Sequence, residues 1–322
     1  MIRIVLSIVA MLLPALPSFA GDAPEIRIAV LKFGTVNWEM DTIRAKGLDK
    51  KNGFTLKPIG LTGGPASKIA FQGGAADAMV SDWIWVARQR AAGKDFVFIP
   101  YSKSVGGIAV PKDGDIHSIK DLKDKTIGIA GGPLDKSWLI LRAYAQQEHG
   151  FDLTEETEQV YGAPPLITQK TQNGEIDAAI NYWHFLARMQ ARGFKIIAPV
   201  GEAADALGLD SETPLLGYVF KGSFVRANAE AIDGFIAASR SAKQILAEDD
   251  AAWEALRPKM RAKADAEFEQ LKAGFRAGIP APGPINEKSA NAMLRLMSEL
   301  GGEALVGQAT ELPDGVFYQP GE

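Results

Sequence analysis

The sequence predicts an α/β protein of two similar lobes, with a two-segment hinge between them and a C-terminal helical extension on the first lobe. One observation is a repeat at an offset of 100 residues, between residues 72–93 (QGGAADAMVSDWIWVARQRAAG) and residues 172–193 (QNGEIDAAINYWHFLARMQARG). A repeat of this length has the size of a whole lobe and is too long for a solenoid unit. The other observation is an alternation of strand-like and helix-like segments in each half, which is typical of a mostly parallel sheet covered by helices.

The first lobe begins with a buried strand over residues 25–33 (EIRIAVLKF). A loop and a helix follow this strand. Pro65 favours the start of the next helix, because its missing N–H costs nothing in a first helical turn. The remaining strands of this lobe are predicted over residues 52–59, 75–82 and 94–102, with a helix over residues 83–92.

The second lobe repeats this order from residue 125 onward. Its strands are predicted over residues 125–133, 175–181 and 194–199, and its helices over residues 134–148 and 182–190. The chain is expected to cross between the lobes near residues 106–111 and 216–221. This gives lobe one residues 24–108 and 218–322, and lobe two residues 109–217. Helical spacing of apolar residues predicts closing helices on lobe one over residues 228–248, 251–261, 264–276 and 286–299.

The N-terminal residues have the pattern of a signal peptide that is removed at residue 20. Arg3 precedes the apolar run 4–13, and Ser18-Phe19-Ala20 ends in a small-x-small pattern. A membrane anchor is the alternative interpretation, but the apolar run is short for a span. We therefore expect a soluble, exported protein of the bacterial periplasm.

Composition excludes several classes of protein. The chain has no cysteine, which excludes disulfides, thiolate catalysis and a cysteine lipid anchor. The net charge of −4 and the absence of a basic cluster argue against nucleic acid as a partner.

Ligands of open parallel α/β sheets bind beyond the carboxyl ends of the strands. In this chain the rule selects five loops, which lie at residues 33–39, 62–67, 81–83, 131–138 and 181–184. Two lobes that face each other across such loops form a cleft, and clefts between lobes bind small molecules.

Two Gly-Gly-Pro turns, at residues 63–65 and 131–133, are the strongest chemical signal in these loops. Each precedes a helix, whose free N–H groups bind oxyanions. The hydroxyls of Ser67 and Ser137 add donors. A single such turn is most simply a tight turn, but two at equivalent places in two lobes favour an anion site.

Tryptophans and carboxylates in the same loops leave the ligand open. Trp38, Trp83, Trp138 and Trp183 could stack on a ligand or pack between helix and sheet. The acids Glu39, Asp82 and Asp135 could be helix caps, or could face a ligand that also carries a positive group. A zwitterion or a small nitrogen heterocycle would then fit better than nitrate. A hard metal ion is a weaker alternative, because no loop has calcium-type spacing.

Catalysis has little support in the sequence. Of the three histidines, His117 and His149 lie in polar connections, and only His184 lies near the cleft loops. No nucleophile-elbow, zinc-protease or phosphate-loop motif occurs. We therefore expect no enzyme, no cofactor and no resident metal.

The chain resembles the periplasmic substrate-binding proteins of the nitrate/sulfonate/taurine type, which serve ABC importers. The resemblance covers most of residues 25–250, and its most specific stretch is SIKDLKDKTIGI, which precedes the second Gly-Gly-Pro turn. It implies the bilobed periplasmic-binding-protein fold, a membrane permease as partner and a monomeric state. By motif position, it implies ligand contacts at Thr35, Asn37, Trp38, Thr62, Gly63, Gly64, Ser81, Asp82, Trp83, Gly131, Gly132, Ser137, Trp138, Asn181, Tyr182 and Trp183.

Two features depart from the family pattern. Trp83 and Trp183 are bulky where the sulfonate branch has small polar residues, which suggests a smaller or planar ligand.

Pyrimidine-precursor enzymes share this architecture and form a rival hypothesis, against which the signal peptide argues. A ligand- or metal-sensing adaptor is a third hypothesis.

Overall fold

The computed structural model describes residues 23–319, so the predicted signal peptide lies outside the described residues. The strands are β1 Glu25–Leu31, β2 Thr55–Leu61, β3 Ala78–Asp82, β4 Phe96–Ser102, β5 Gly107–Pro111, β6 Thr126–Ala130, β7 Glu158–Gly162, β8 Ala178–Asn181, β9 Phe194–Pro199 and β10 Leu216–Lys221. The helices are α1 Val36–Ala45, α2 Leu48–Lys51, α3 Gly64–Gln72, α4 Trp83–Ala91, α5 Lys136–His149, α6 Pro164–Gln172, α7 Trp183–Gln190, α8 Val200–Ala206, α9 Gly222–Ala227, α10 Ala229–Glu248, α11 Asp250–Met260, α12 Asp265–Ala277 and α13 Glu287–Val306. Within these residues, no helix is both long enough and apolar enough to cross a membrane.

Two five-stranded sheets form the two lobes, in the orders β2-β1-β3-β10-β4 and β7-β6-β8-β5-β9. In each sheet one strand runs against the others: β10 is antiparallel to β3 and β4, and β5 is antiparallel to β8 and β9. These are the strands that enter each sheet after the chain has crossed between lobes. The predicted lobe boundaries, 108/109 and 217/218, fall inside β5 and β10, because each strand belongs whole to one sheet.

The two crossing segments run side by side at the hinge. One leads from β4 to β5 and contains Lys103, and the other leads from α8 to β10 and contains Glu212. The Lys103 ammonium lies 2.6 and 2.7 Å from the two carboxylate oxygens of Glu212. This contact links both crossings of the chain.

The internal repeat reflects a shared corner in each lobe. The carboxylate of Asp77 accepts a hydrogen bond from the backbone N–H of Arg27 at 2.9 Å, at the start of β1. Asp177 accepts from the backbone N–H of Thr126 at 2.8 Å, at the start of β6. The repeated aspartates therefore secure the first parallel strand of each lobe to the loop before its third parallel strand.

The repeated arginines hold C-terminal helices. Arg88 of α4 donates to the carbonyl oxygen of Ala304 in α13 at 3.0 Å, and Arg188 of α7 donates to that of Met260 in α11 at 2.8 Å. Arg188 also pairs with Glu267 of α12. Lobe two is thereby attached to the helices that close the chain.

The C-terminal helices contact more of the molecule than the sequence predicts. Helix α10 packs on α1, as expected for lobe one, but α12 packs along α7 of lobe two, and α13 contacts both α4 and α5. Gly274 makes this approach possible, because a Cβ there would lie 2.8 Å from the Trp183 ring. The predicted extension on lobe one therefore also braces lobe two.

A buried ion pair anchors α1 within lobe one. Glu39 is fully buried, and its carboxylate lies 2.5 Å from the ammonium of Lys243 on α10. The same carboxylate accepts hydrogen bonds from the hydroxyls of Tyr218 at 2.8 Å and Ser239 at 2.7 Å. Burial lowers the pKa of Lys243, and the neighbouring Glu39 charge opposes that shift. Glu39 is thus a structural group, which corrects its inclusion among the carboxylates that could face a ligand.

We expect Glu39→Gln and Lys243→Met each to lower the free energy of unfolding by about 3–5 kcal/mol, since each leaves a buried group without its partner charge. The double variant should lose less than the sum of the two, because it removes both charges together. Urea unfolding at pH 7 measures all three variants.

Lys57→Met is the matched control, because the Lys57–Glu25 pair is exposed and should contribute no more than about 1 kcal/mol. Additive losses in the double variant would contradict the coupling between Glu39 and Lys243.

Candidate functional site

Opposite charges from the two lobes meet at the carboxyl ends of the strands. The Asp82 carboxylate, at the end of β3, lies 3.2 Å from the ammonium of Lys136, the first residue of α5. The side chains are 17% and 23% exposed, respectively, so water can reach both. This pair is therefore a polar contact between the two lobes at the loops that the sequence selects.

Helix caps position this pair. One oxygen of Asp82 accepts the backbone N–H of Trp85 at 2.8 Å and caps α4, while the other faces Lys136. Asp135 caps α5 by accepting the N–H of Trp138 at 3.2 Å. Both carboxylates are therefore helix caps, which is one of the two roles that the sequence predicts for them. Asp82 also faces the opposite lobe.

Lys68 and Tyr182 extend the polar cluster. Partial burial lowers the pKa of Lys68 on α3, against the opposing charge of Asp82, and the nearby Lys136 lowers it further. The Tyr182 hydroxyl lies 3.4 Å from the position that a Cβ would take on Gly131. Burial raises the pKa of Asp135, although the hydrogen bond from Trp138 opposes the shift. The charges of Lys68, Asp82, Asp135 and Lys136 therefore influence one another, and the Tyr182 hydroxyl lies beside the second Gly-Gly-Pro turn.

The two Gly-Gly-Pro turns do not occupy equivalent places, and that prediction is wrong. Residues 63–65 follow β2, the second strand of lobe one, whereas residues 131–133 follow β6, the first parallel strand of lobe two. Helix α3 begins at once at Gly64 and has no side-chain cap, while α5 begins only at Lys136 and is capped by Asp135. Of these two helices, only α3 offers uncapped N–H groups directly after its turn.

The second turn has a different physical role. Gly131 and Gly132 have φ values of 104° and 136°, a conformation that side-chain-bearing residues rarely adopt. This geometry reverses the chain between β6 and α5 and leaves room for the Tyr182 hydroxyl. In the first turn, the expected donor Ser67 is buried and its hydroxyl donates to the carbonyl oxygen of Gly63 at 3.3 Å.

Trp83 and Trp138 are core residues, which corrects their prediction as ligand contacts. They are 0% and 1% exposed, and Trp83 packs edge-on against Phe317 with ring centroids 5.7 Å apart. The buried indole N–H of Trp83 has no acceptor among the described residues. Both rings belong to the hydrophobic core, where they pack with other buried side chains.

Trp38 and Trp183 form the aromatic contact between lobes. Their rings pack edge-to-face with centroids 6.1 Å apart, and Trp38 also packs on Trp253 at 5.8 Å. Trp183 lies against Gly274 of α12. These rings stabilise the joined lobes in this conformation.

Several predicted polar contacts serve their own turns. Asn37 donates to the carbonyl oxygens of Leu31 at 2.8 Å and Gly34 at 2.7 Å. Asn181 is buried and donates to the carbonyl oxygen of Pro164 and the hydroxyl of Thr168, both at 3.0 Å. These amides shape their own loops, and ligand contact at Asn37 and Asn181 stays a prediction.

The other predicted residues lie on the loops around the polar cluster. Thr35 is half-buried and precedes α1, without a side-chain hydrogen bond that caps the helix. Thr62 and Gly64 are exposed, and Gly63, Ser81 and Ser137 are half-buried. Ser81 directly precedes Asp82 in the chain, and Ser137 directly follows Lys136.

Sequence reasoning missed Lys68 and Lys136. Lys68 directly follows Ser67, one residue beyond the selected loop 62–67, and Lys136 directly precedes Ser137 within the selected loop 131–138. The prediction took backbone N–H groups as the anion-binding chemistry and left out ammonium groups. A lysine next to each predicted donor serine was the available signal.

His184 is packed against aromatic rings. Its ring lies 4.5 Å from that of Phe185 and 5.7 Å from that of Trp183. Burial and the Arg188 charge lower the pKa of His184 to about 4, so the imidazole is neutral at pH 7. Among residues 23–319, no group of three or more histidine or acidic side chains is placed to hold a metal ion.

Several solved structures share this fold. The Escherichia coli periplasmic aliphatic sulphonate-binding protein SsuA aligns with a TM-score of 0.72 and 18% identity, over 92% of each chain. The alkanesulfonate-binding protein SsuA of Xanthomonas axonopodis pv. citri, solved with MOPS, aligns at 0.69 and 16% identity, over 93% of this chain and 99% of its own. A ligand-binding component of a Staphylococcus aureus ABC-type import system, solved with zinc, aligns at 0.68 and 12% identity, over 92% and 97%. The predicted periplasmic-binding-protein fold is therefore confirmed.

Sequence comparison identifies the family. No curated protein sequence is significantly similar to the chain. The sequence model of the NMT1/THI5-like family, however, matches residues 37–252, about two thirds of the chain. The chain belongs to the NMT1/THI5-like family.

Proposed function

We propose that this chain is a receptor that binds a small polar solute between its two lobes and passes it to the permease of an ABC importer. The observation that carries the proposal is the Asp82–Lys136 pair, in which each lobe presents one charge to the other. The sulfonate-binding function of the SsuA proteins, which share the fold, supports this role.

The charges of the cleft favour a ligand with two kinds of polar group. Lys68 and Lys136 would bind an anionic group such as a sulfonate or carboxylate. The Asp82 oxygen that faces Lys136 would accept a hydrogen bond from a cationic or N–H group of the same ligand. A zwitterion or a nitrogen heterocycle with an acidic substituent meets both demands, whereas nitrate meets only the first.

Binding would exchange partners within the cleft. The anionic group of the ligand takes the place of Asp82 beside Lys136, and its donor group takes the place of Lys136 beside Asp82. Because the two groups belong to different lobes, the ligand stabilises the arrangement in which the lobes are close. The crossing segments that carry Lys103 and Glu212 would serve as the hinge.

The proposed location is the periplasm, with a membrane permease as partner. The signal-peptide pattern of residues 1–20 supports export, and the E. coli protein of the same fold is periplasmic.

A catalytic role is the weaker candidate. His184 is neutral and packed among aromatic rings, with Arg188 as its charged neighbour. General bases that operate near neutral pH have pKa values close to 7. The position of His184 therefore fits a packing residue.

A ligand panel with a lysine variant tests the cleft. Nitrate, taurine, alkanesulfonates, pyrimidines and quaternary amines are each added to the protein from residue 21 onward, and the melting temperature is measured. A ligand at 100 times its dissociation constant stabilises by about 2.7 kcal/mol, a shift of several degrees. Lys136→Met should weaken binding of the active ligand at least tenfold, and Lys120→Met, on the exposed surface of lobe two, should not. Equal affinity in both variants would contradict the cleft assignment.

Asp82→Asn distinguishes the ligand classes by the sign of its effect. Asparagine also caps helices, so α4 should keep its start while the charge is lost. A ligand with a cationic group should bind this variant at least tenfold more weakly. A simple oxyanion should bind it more tightly, because Lys136 no longer has a competing partner, and calorimetry showing that result would contradict the two-group ligand.

The burial of His184 predicts a dependence of stability on pH. The unfolded histidine has a pKa of 6.5 and the folded one about 4, so only the unfolded chain takes up this proton between those pH values. The free energy of unfolding should therefore fall as the pH decreases from about 6.5 to 4, by up to about 3 kcal/mol from this residue. Urea unfolding of wild type and His184→Gln at pH 7 and pH 4.5 measures it. The variant should lose less stability than wild type on acidification; an equal loss would refute the assignment.

A further inference from the structure

A second cavity lies within lobe one, and its lining includes none of the predicted cleft residues. It has a volume of about 770 Å³ and is bounded by α10, the middle of β4, the loop 279–285 and residues 317–319. Binding sites for small molecules have volumes of this order. The cavity is therefore large enough for an organic ligand.

Hydrogen bonds fix the wall that the C-terminal segment forms. The backbone N–H of Phe98 donates to the carbonyl oxygen of Val316 at 2.7 Å, and the N–H of Tyr318 donates to the carbonyl oxygen of Phe98 at 2.9 Å. The Tyr318 hydroxyl donates to Asp233 of α10 at 2.8 Å. The opposite loop carries three prolines, whose rings restrict its backbone. Hydrogen bonds therefore fix the C-terminal wall of the cavity, and proline rings restrict the loop opposite it.

One face of α10 supplies the polar groups. Ser239, Arg240, Lys243 and Gln244 line the cavity at helical spacing. Lys243 already binds Glu39 and Ser239, so its charge is compensated. Arg240 and Gln244 are exposed and one helical turn apart. A guanidinium with an amide beside it is suited to bind a carboxylate or another oxyanion.

The rest of the lining is mainly apolar. It comprises Ile99, Pro100, Ile236, Ile279, Pro280, Pro282, Pro284, Ile285 and Phe317. The acidic Glu248 lies eight residues after Arg240, about 12 Å along the helix. Positive charge and apolar surface are therefore adjacent, and the negative charge lies at the far end.

We propose that this cavity is a second ligand site, which takes a small amphipathic oxyanion. Arg240 and Gln244 bind the anionic head group, and the isoleucines and prolines cover its apolar body. The site is independent of the interlobe cleft and of its ligand.

Octanoate is the probe, and uncharged octanamide of the same chain length is its matched control. Calorimetry with the full protein should give octanoate binding at least tenfold tighter than octanamide binding. Arg240→Gln should remove that difference, because it removes the charge-assisted hydrogen bond. Arg240 is exposed, so this variant should melt at the wild-type temperature.

Two alanines of α10 test the location. Ala247 lines the cavity, whereas Ala237 is exposed on the same helix outside it. Ala247→Trp should fill the cavity and abolish octanoate binding, and Ala237→Trp should leave it unchanged. Lys136→Met should also bind octanoate as wild type does. Absent binding to wild type, equal binding of the two probes, unchanged binding to Ala247→Trp or lost binding to Lys136→Met would each overturn the proposal.

Discussion

The pairing of β5 and β10, each between two antiparallel neighbours, is the constraint on which the rest of this structure depends. Each of these strands enters its sheet after the chain has crossed between lobes, and each pairs on both sides with strands of the other direction. Backbone pairing on both sides makes these strands costly to withdraw, so the two crossing segments stay side by side where Lys103 contacts Glu212. The carboxyl ends of β3 and β6 consequently face each other, and Asp82 can reach Lys136.

The C-terminal helices add a second connection between lobes. Arg188 reaches α11 and α12, and the absence of a side chain at Gly274 lets the Trp183 ring lie against α12. The Trp38–Trp183 contact lies in the same region. Relative motion of the lobes must therefore preserve or exchange this packing, while the contact between Asp82 and Lys136 is a partly exposed ion pair.

The Glu39–Lys243 and Asp82–Lys136 ion pairs differ in their exposure to solvent. Glu39 and Lys243 are buried, and two hydroxyls complete the hydrogen bonds of the carboxylate. Breaking that pair would leave a buried charge with neither a partner nor water to solvate it. The pair therefore suits a permanent structural role. Asp82 and Lys136 remain partly exposed, so both can exchange partners at small cost. That difference in solvent access is why one pair belongs to the core of lobe one and the other to the candidate site.

The sequence by itself determined the two lobes, many of their strands and helices, and the family. Those features depend on local periodicity and on an internal repeat. Within the repeat, Asp77 and Asp177 each accept a backbone hydrogen bond at the start of a strand, β1 or β6. Only the tertiary structure decided which conspicuous residues face the cleft. Trp83 and Trp138 are buried in the core, while Lys136 of lobe two lies against Asp82 of lobe one. The direction of a side chain at a helix start depends on what the helix packs against, and those partners, such as Phe317 for Trp83, are more than two hundred residues away in the chain.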